Sequence, residues 1–290
     1  MKKIDFPISS GCRSCGRELV FVKKIRGEES GVAIPLFKCN HCSSFYSRIG
    51  YVCQRQEDIP LKSVEYHVPK EAYAKKRVAD ILLRVSEKAW LPNRPMNMLD
   101  IGCGVGWSLV VAEQKGIRAQ GVEPIRDAAK YATDILKVDV INSLFNADLF
   151  GPEEFDLIIM DQVLEHVPNP IQMLEDAFRL LKRNGVLFLA IPPIDWSRIM
   201  ASLSFQFSIR LVRWFENNPL TRRLAGIAVI YDTFRYPEGH INYLSAKAVS
   251  ILADRCKAEV VEQYHLNRSR ARIFPLFKLS TGSFFLKKRQ

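Results

Sequence analysis

A short apolar segment that runs directly into a glycine-rich turn constrains this chain more than any other feature. Residues 96–101 form the apolar segment, and residues 102–106 read Gly-Cys-Gly-Val-Gly. A helical pattern over 107–114 comes next, and a second strand pattern ends in Glu123. A strand, a tight turn, a crossover helix and a second strand make a βαβ unit, whose strands are parallel. The sequence therefore predicts an α/β domain with a parallel sheet.

The turn and Glu123 together have the spacing of a site for a nucleoside ligand. Glycines allow backbone amides to approach a ligand closely, and the dipole of the following helix points at it. Glu123 ends the second strand, where a carboxylate can accept hydrogen bonds from both hydroxyls of a ribose. A nicotinamide dinucleotide fits less well, because its fingerprint has the third glycine one residue later, and bulky Trp107 follows here. We therefore expect a ligand without phosphates.

Two Cys-x-x-Cys pairs near the N-terminus predict a small metal-binding module. Each pair lets two thiolates converge on one ion, and two pairs complete a closed tetrahedral site. Residues 18–25 and 32–38 read as short strands between the pairs, so the segment resembles a zinc ribbon. Four sulfur ligands leave no open position, and we therefore expect a structural zinc ion. The predicted ligands are Cys12, Cys15, Cys39 and Cys42.

The sequence also predicts a cytoplasmic location. The two N-terminal lysines are not followed by the apolar run of a signal peptide. Arg210, Arg213 and Glu216 interrupt the most apolar stretch, so no window approaches the roughly 20 apolar residues of a spanning helix. Cysteine pairs in a reducing compartment are typical of metal sites rather than of disulfides.

The glycine turn and the segments around it resemble the class I S-adenosylmethionine-dependent methyltransferases. Residues 99–106 are similar to the first motif of that family, and residues 121–124 are similar to the second. Residues 155–167 and 180–192 resemble its fourth and fifth strands with their adjoining turns. The resemblance covers residues 70–290 with one interruption.

This resemblance implies an α/β fold with a doubly wound, Rossmann-like, seven-stranded sheet, preceded by the small zinc ribbon. The expected domains are a zinc-ribbon-like module over 1–58, a linker and leading helix over 59–95, and a methyltransferase domain over 96–290. An insertion at about 194–237 interrupts the last of these. S-adenosylmethionine and a structural zinc ion are the cofactors that we expect.

Carried over position by position, the resemblance assigns the cofactor site to the ends of the strands. The three glycines of the turn would line the methionine and the ribose, and Glu123 would hold the ribose hydroxyls. Asp161 and Gln162 would meet the methionine amine, and Asp100 would either touch the cofactor or cap a loop. Residues 142–144 read Asn-Ser-Leu where the family often supplies an acid to the adenine. The predicted set is Asp100, Gly102, Gly104, Gly106, Glu123, Pro124, Leu144, Asp161 and Gln162.

Two histidines are the candidates for a catalytic base, His166 and His240. A base is needed only when the acceptor atom carries a proton that must leave. His166 follows the fourth strand, where the alternative is that it packs the loop. His240 follows the insertion, where the resemblance implies that a similar histidine lies near the acceptor pocket. A neutral imidazole at that place could take a proton or orient the acceptor.

The insertion carries aromatic side chains and arginines, and the net charge of the whole chain is +11. Residues 196–290 hold 16 basic and 6 acidic side chains, so the excess is C-terminal. Residues 196–235 therefore suit peripheral contact with an anionic membrane, with apolar groups among the headgroups. The alternative is a helical lid that packs its apolar face on the core, and periodicity does not decide between them.

Three functions remain open from the sequence. The leading one is S-adenosylmethionine-dependent methyl transfer to a small-molecule or lipid-linked acceptor of the sugar, polyketide or isoprenoid type. The second is methylation of RNA or protein, with the zinc ribbon and the basic C-terminal part binding the polymer. Against it, residues 161–164 read Asp-Gln-Val-Leu rather than the Asn/Asp-Pro-Pro-Tyr-type motif that many base-methylating relatives carry. The third is a cofactor-binding interaction protein without catalysis, against which the intact glycines and Glu123 argue.

Overall fold

A computed structural model describes the chain outside a few segments. The described residues are 4–5, 11–26, 33–47, 49–50, 64–65, 68–90, 96–192, 240–265 and 282–289. The insertion predicted at about 194–237 and the membrane contact predicted through 196–235 lie outside these residues.

The described strands and the longer described helices are named in chain order. The strands are β1 (Ile4–Asp5), β2 (Leu19–Arg26), β3 (Ala33–Cys39), β4 (Phe45–Ser47), β5 (Ile49–Gly50), β6 (Asn97–Ile101), β7 (Arg118–Val122), β8 (Asp139–Ile141), β9 (Phe155–Asp161), β10 (Leu181–Ile191), β11 (Asn242–Tyr243), β12 (Ala258–His265) and β13 (Gly282–Lys288). The helices are α1 (Glu71–Glu87), α2 (Trp107–Gln114), α3 (Arg126–Tyr131), α4 (Pro170–Leu180) and α5 (Ala246–Arg255). Among the described helices, none has both the length and the apolar character needed to cross a bilayer.

Seven strands form the larger sheet, in the spatial order β8-β7-β6-β9-β10-β13-β12. Strands β6 to β10 are parallel to their neighbours within that set, and β13 is antiparallel to both β10 and β12. From β6 the chain continues through β7 to β8 at one edge of the sheet. The next strand, β9, then lies on the other side of β6. The predicted seven-stranded, mostly parallel sheet is therefore confirmed.

Both faces of the larger sheet are buried. In β9, Leu157 and Ile159 belong to one core cluster with residues of α1 and α2. Ile158 and Met160 belong to the other cluster, with residues of α4 and α5. Consecutive side chains of a strand point to opposite faces, so a strand that is covered on both sides is apolar throughout. Helices on the two faces make the sheet doubly wound, as predicted.

Strand β10 differs from the sequence prediction. The family resemblance implies the end of a helix, a glycine turn and then the fifth strand within residues 180–192. In the structure α4 ends at Leu180 and β10 begins at once, but its pairing with β9 shifts register between Leu181 and Val186. The predicted turn is thus an irregular start of the strand.

A second sheet carries the cysteine pairs, in the order β2-β3-β4-β11. Strands β2 and β3 form an antiparallel hairpin, one residue later in the chain than the predicted bounds. Strand β11 comes from the C-terminal part of the chain and pairs antiparallel with β4, with Asn242 opposite Tyr46. The small sheet is therefore completed by a segment that lies far from it in sequence.

Candidate functional site

Three strands of the larger sheet end side by side at its carboxyl edge. Ile101 of β6 is paired with Val122 of β7 and with Met160 of β9. The strand order changes direction between β6 and β9, and open α/β sheets bind ligands at such a point. The residues that directly follow the three paired ones are Gly102, Glu123 and Asp161.

The glycine turn is lined by backbone because side chains would not fit at two of its positions. Gly102 has φ +77°, and a Cβ there would lie 2.6 Å from Cγ2 of Val163. Gly106 has φ +86° and caps α2, and a Cβ there would lie 2.9 Å from Cγ2 of Val138. Both positions favour glycine, since side chains rarely adopt this backbone conformation. The turn is a cradle that a ligand can approach closely.

Glu123 joins the glycine turn to the end of β7. Its Oε2 accepts a hydrogen bond of 2.8 Å from the backbone N–H of Gly104, and its Oε1 accepts one of 2.8 Å from Ile125. Burial raises the pKa of this carboxyl, while the two backbone hydrogen bonds lower it. Each carboxylate oxygen has further acceptor capacity, so Glu123 can also accept from a ligand hydroxyl.

Asn142 holds the loop that follows Glu123. Its Nδ2 donates to the carbonyl oxygens of Glu123 at 2.9 Å and of Pro124 at 3.3 Å. It therefore supports the predicted adenine side of the site through the backbone. Leu144, two residues further on, is 39% exposed.

Asp100 is buried and faces the first turn of α2. Its Oδ2 accepts a hydrogen bond from the hydroxyl of Ser108, which corresponds to the capping alternative of the sequence analysis. Burial and the charges of Asp161 and Glu123, opposed by the hydrogen bond from Ser108, together raise the pKa of Asp100 to about 7. The carboxylates at the ends of β6, β7 and β9 are thus close enough to influence one another.

Asp161 forms an ion pair that the sequence analysis missed. Arg77 of α1 donates through Nε to Oδ2 and through Nη2 to Oδ1, the latter at 2.8 Å. Arg77 is buried. Its burial can be inferred from the sequence, because it lies four residues before Ile81 on the apolar face of α1. Gln162, predicted beside Asp161, is exposed and has φ +60°.

His166 and His240 lie together although 74 residues separate them. Their ring centroids are 4.7 Å apart, and Glu165 completes a group whose donor atoms all lie within 4.8 Å of one another. Both carboxyl oxygens of Glu165 and Nδ1 of His240 are buried without a hydrogen-bond partner among the described residues. Burial raises the pKa of Glu165 to about 8, and burial lowers the pKa of His240 well below its ordinary value. A carboxylate with two imidazoles can hold a proton or a divalent transition-metal ion.

The four predicted metal ligands converge as sequence spacing predicts. The Sγ atoms of Cys12 and Cys42 are 3.5 Å apart, those of Cys15 and Cys39 are also 3.5 Å apart, and all four lie within 4.8 Å of one another. Zinc–sulfur bonds of about 2.3 Å in a tetrahedron require sulfur atoms about 3.8 Å apart, so the donor set fits a zinc ion. The hydrogen bond between Cys12 and Cys42 lowers the pKa of the Cys12 thiol and raises the pKa of the Cys42 thiol.

A family model described as "Methyltransferase domain" matches residues 71–263 of the chain. The ubiquinone biosynthesis O-methyltransferase of Actinobacillus pleuropneumoniae serotype 5b (strain L20) is 31% identical over 103 residues, which are 32% of this chain and 44% of that protein. The norajmaline N-methyltransferase of Rauvolfia serpentina is 32% identical over 95 residues, or 30% of this chain and 32% of that protein. The chain thus spans less than half the length of these curated relatives.

Solved structures of methyltransferases are similar over a larger part of the chain. The magnesium protoporphyrin IX methyltransferase from Synechocystis PCC 6803 with bound SAH is 14% identical, with a TM-score of 0.46, over 74% of this chain and 83% of that one. A SAM-dependent methyltransferase from Archaeoglobus fulgidus is 14% identical, with a TM-score of 0.44, over 76% of this chain and 97% of that one.

Proposed function

The chain belongs to the methyltransferase-domain family, and from this premise we propose that it transfers a methyl group from S-adenosylmethionine to a small-molecule or lipid-linked acceptor. The observation that carries the proposal is the link between Glu123 and the backbone N–H of Gly104. It fixes a ribose-accepting carboxylate beside a cradle of backbone amides at the edge where α/β sheets bind ligands.

The fit of the site to S-adenosylmethionine rests on three groups of this chain. The positive φ of Gly102 and the side chain of Val163 packed against it give the turn a shape in which backbone groups line the site. Glu123 offers acceptor oxygens to the ribose. Arg77 and Asp161 offer one cation and one anion, which complement the carboxylate and the amine of the methionine part.

When bound, the cofactor supplies an electrophilic methyl group on a positively charged sulfur atom. The chain's part is to hold the acceptor atom in line with that methyl group and to exclude water. Of the two histidines, we assign the proton-accepting role to His240, because desolvation keeps its imidazole neutral at neutral pH. His166 then orients that ring through its edge-to-face contact.

A small acceptor is supported by the curated relatives, whose names refer to ubiquinone biosynthesis and to norajmaline. Sugar, polyketide and isoprenoid compounds are the classes that we propose to screen. Methylation of RNA or protein is the competing function, and it predicts that binding of the acceptor weakens steeply as salt concentration rises.

We further propose that the four cysteines hold a structural zinc ion in a module over residues 1–58, followed by a linker and leading helix over 59–95 and a catalytic domain over 96–290. The sulfur distances support this assignment. All four donors are cysteines, so the ion would have no open position for a substrate.

Calorimetric titration with S-adenosylmethionine, followed by a metabolite screen with the cofactor labelled in its methyl group, tests the proposed function. We expect saturable binding at one site and label in a small organic compound. Label in RNA or protein would favour the competing function, and binding without any transfer would favour a cofactor-binding protein without catalysis. A protein that binds no S-adenosylmethionine would contradict the proposal.

A further inference from the structure

The first cysteine pair contacts the segment that carries His240. Arg13 lies between Cys12 and Cys15, and its Nη1 donates to the carbonyl oxygen of Ile241 at 3.0 Å and to Oδ1 of Asn242 at 2.9 Å. Its Nη2 donates to the carbonyl oxygen of Ser47 at 3.3 Å. A planar guanidinium that reaches three acceptors is held in one orientation. Arg13 therefore ties the metal-binding turn to residues 241 and 242.

Asn242 connects Arg13 to the loop that carries Glu165 and His166 through hydrogen bonds. It is 1% exposed, and its Nδ2 donates to the carbonyl oxygens of Leu164 at 3.0 Å and of Val167 at 2.6 Å. The backbone N–H of Ile241 donates to the carbonyl oxygen of Glu165 at 2.9 Å. The Oδ1 atom of Asn242 thus accepts from the metal module, and its Nδ2 atom donates to the loop.

We propose that Arg13 and Asn242 are positioning residues, through which the metal-loaded cysteine module sets the distance between His166 and His240. The assignment rests on the proposed function only in giving these histidines a role toward the acceptor. A buried side chain with all its hydrogen bonds made has one favoured geometry, and losing one partner costs the desolvation of the other. Loss of the metal ion would release Cys12 and Cys15, then Arg13, and the pair of histidines would no longer be fixed.

The chain provides a matched control for generic docking of the module. Arg255 of α5 donates through Nη1 to the carbonyl oxygen of Ser14 at 2.9 Å, within the same cysteine turn. Among the described residues, it makes no hydrogen bond with Asn242. If the module only needs to be attached, Arg13→Ala and Arg255→Ala have the same effect. If the positioning assignment is right, only Arg13→Ala disturbs the histidines.

The test is NMR of histidine side chains in the full-length protein loaded with zinc, which has five histidines. We expect Arg13→Ala and Asn242→Asp to shift the signals of His166 and His240. Asn242→Asp keeps an acceptor for Arg13 but removes both donors to the loop. Arg13→Lys keeps a cationic donor and is expected to shift the two signals less than Arg13→Ala does; it also serves if Arg13→Ala fails to fold.

Removal of zinc from the wild-type protein by a chelator is expected to shift the same two signals. Unchanged signals in Arg13→Lys and Asn242→Asp, or equal shifts in Arg255→Ala, would overturn the assignment. Calorimetry with S-adenosylmethionine on the same proteins separates this result from the proposed function. A wild-type protein that binds no cofactor contradicts the function, whereas the histidine signals still decide the positioning assignment.

Discussion

Arg77 and Asp161 meet through two parallel hydrogen bonds at the edge of the sheet where β9 ends. The arginine comes from α1, which precedes the whole larger sheet in sequence, so this pair ties the leading helix to the candidate cofactor site. A two-point pair fixes both side chains in orientation as well as in distance.

Breaking this pair is expected to reduce both stability and cofactor affinity. Asp161→Asn leaves a buried guanidinium without its counter-charge, and we expect the free energy of unfolding to fall by about 2–3 kcal/mol in urea titrations. That is less than the about 3–5 kcal/mol of a fully buried pair, because the Asp161 side chain is 27% exposed. The control Arg179→Ala removes an exposed pair with Asp148, and a loss above about 1 kcal/mol there would undermine the comparison.

Glu123→Ala is expected to weaken binding of S-adenosylmethionine by about ten- to hundredfold in calorimetry, because charge-assisted hydrogen bonds are worth about 1.5–3 kcal/mol. Glu123→Gln keeps one acceptor oxygen, so its loss should be smaller. Glu113→Gln, on the exposed side of α2, is the matched control. Equal affinities in all three variants and the wild type would remove Glu123 from the site.

The raised pKa of Asp100 leads to a prediction of how the free energy of unfolding depends on pH. Its pKa rises from 3.8 to about 7 on folding, so the folded protein holds this proton more tightly than the unfolded chain does. The contribution of the protonated group is present at low pH and is lost as pH rises through about 7. We expect the wild type to lose stability between about pH 4 and about pH 7, and Asp100→Asn to lose less. Asp134→Asn, an exposed position, should keep the wild-type slope.

His240→Ala is expected to lower kcat for methyl transfer while leaving affinity for S-adenosylmethionine near that of the wild type. General-base catalysis contributes about 100- to 10,000-fold when the acceptor carries a proton that must leave. His166→Ala should have a smaller effect, since that ring only supports His240. Transfer rates are measured on the acceptor that the labelled-cofactor screen identifies. An unchanged rate in His240→Ala would contradict the proton-accepting role of His240.

Zinc binding predicts selective protection of thiols. The chain has seven cysteines, and four of them would react with a thiol reagent only after a chelator is added. Hydrogen exchange measured at the same time should rise first in residues of about 10–55, because the ion supplies much of the folding energy of so small a module. Cys39→Ser should lose the ion, and Cys256→Ser should keep it. A purified protein with full structure and no metal would contradict this prediction.

Local patterns predicted the first βαβ unit of the larger sheet, and the family resemblance predicted the rest of that sheet. The helix predicted over residues 107–114 has the bounds of α2, because Gly106 and Gly116 mark its two ends. The family resemblance assigned the fourth strand to the segment that forms β9, and the two core clusters contain alternate residues of that strand. In these segments local propensity and tertiary burial point the same way.

Three features depended on contacts that no local pattern contains. Strand β11 has two residues, which is too short for any periodicity, and it forms only because β4 offers an open edge. The contact of His166 with His240 spans 74 residues of sequence. Arg77 lies within a helix that was predicted, but the position of its partner on β9 follows from the packing of α1 on the sheet.

Strand β11 has a practical consequence for any attempt to divide this protein. A shortened chain that begins at residue 68 would keep Asn242 but lose β4, with which β11 pairs, and Arg13, which donates to Asn242, leaving the backbone of β11 free to pair with other molecules. Aggregation, rather than a smaller working enzyme, is the expected result of such trimming. Transplanting the cysteine module onto another scaffold would likewise have to bring residues 240–245 with it, so the two distant segments are best exchanged as one cassette.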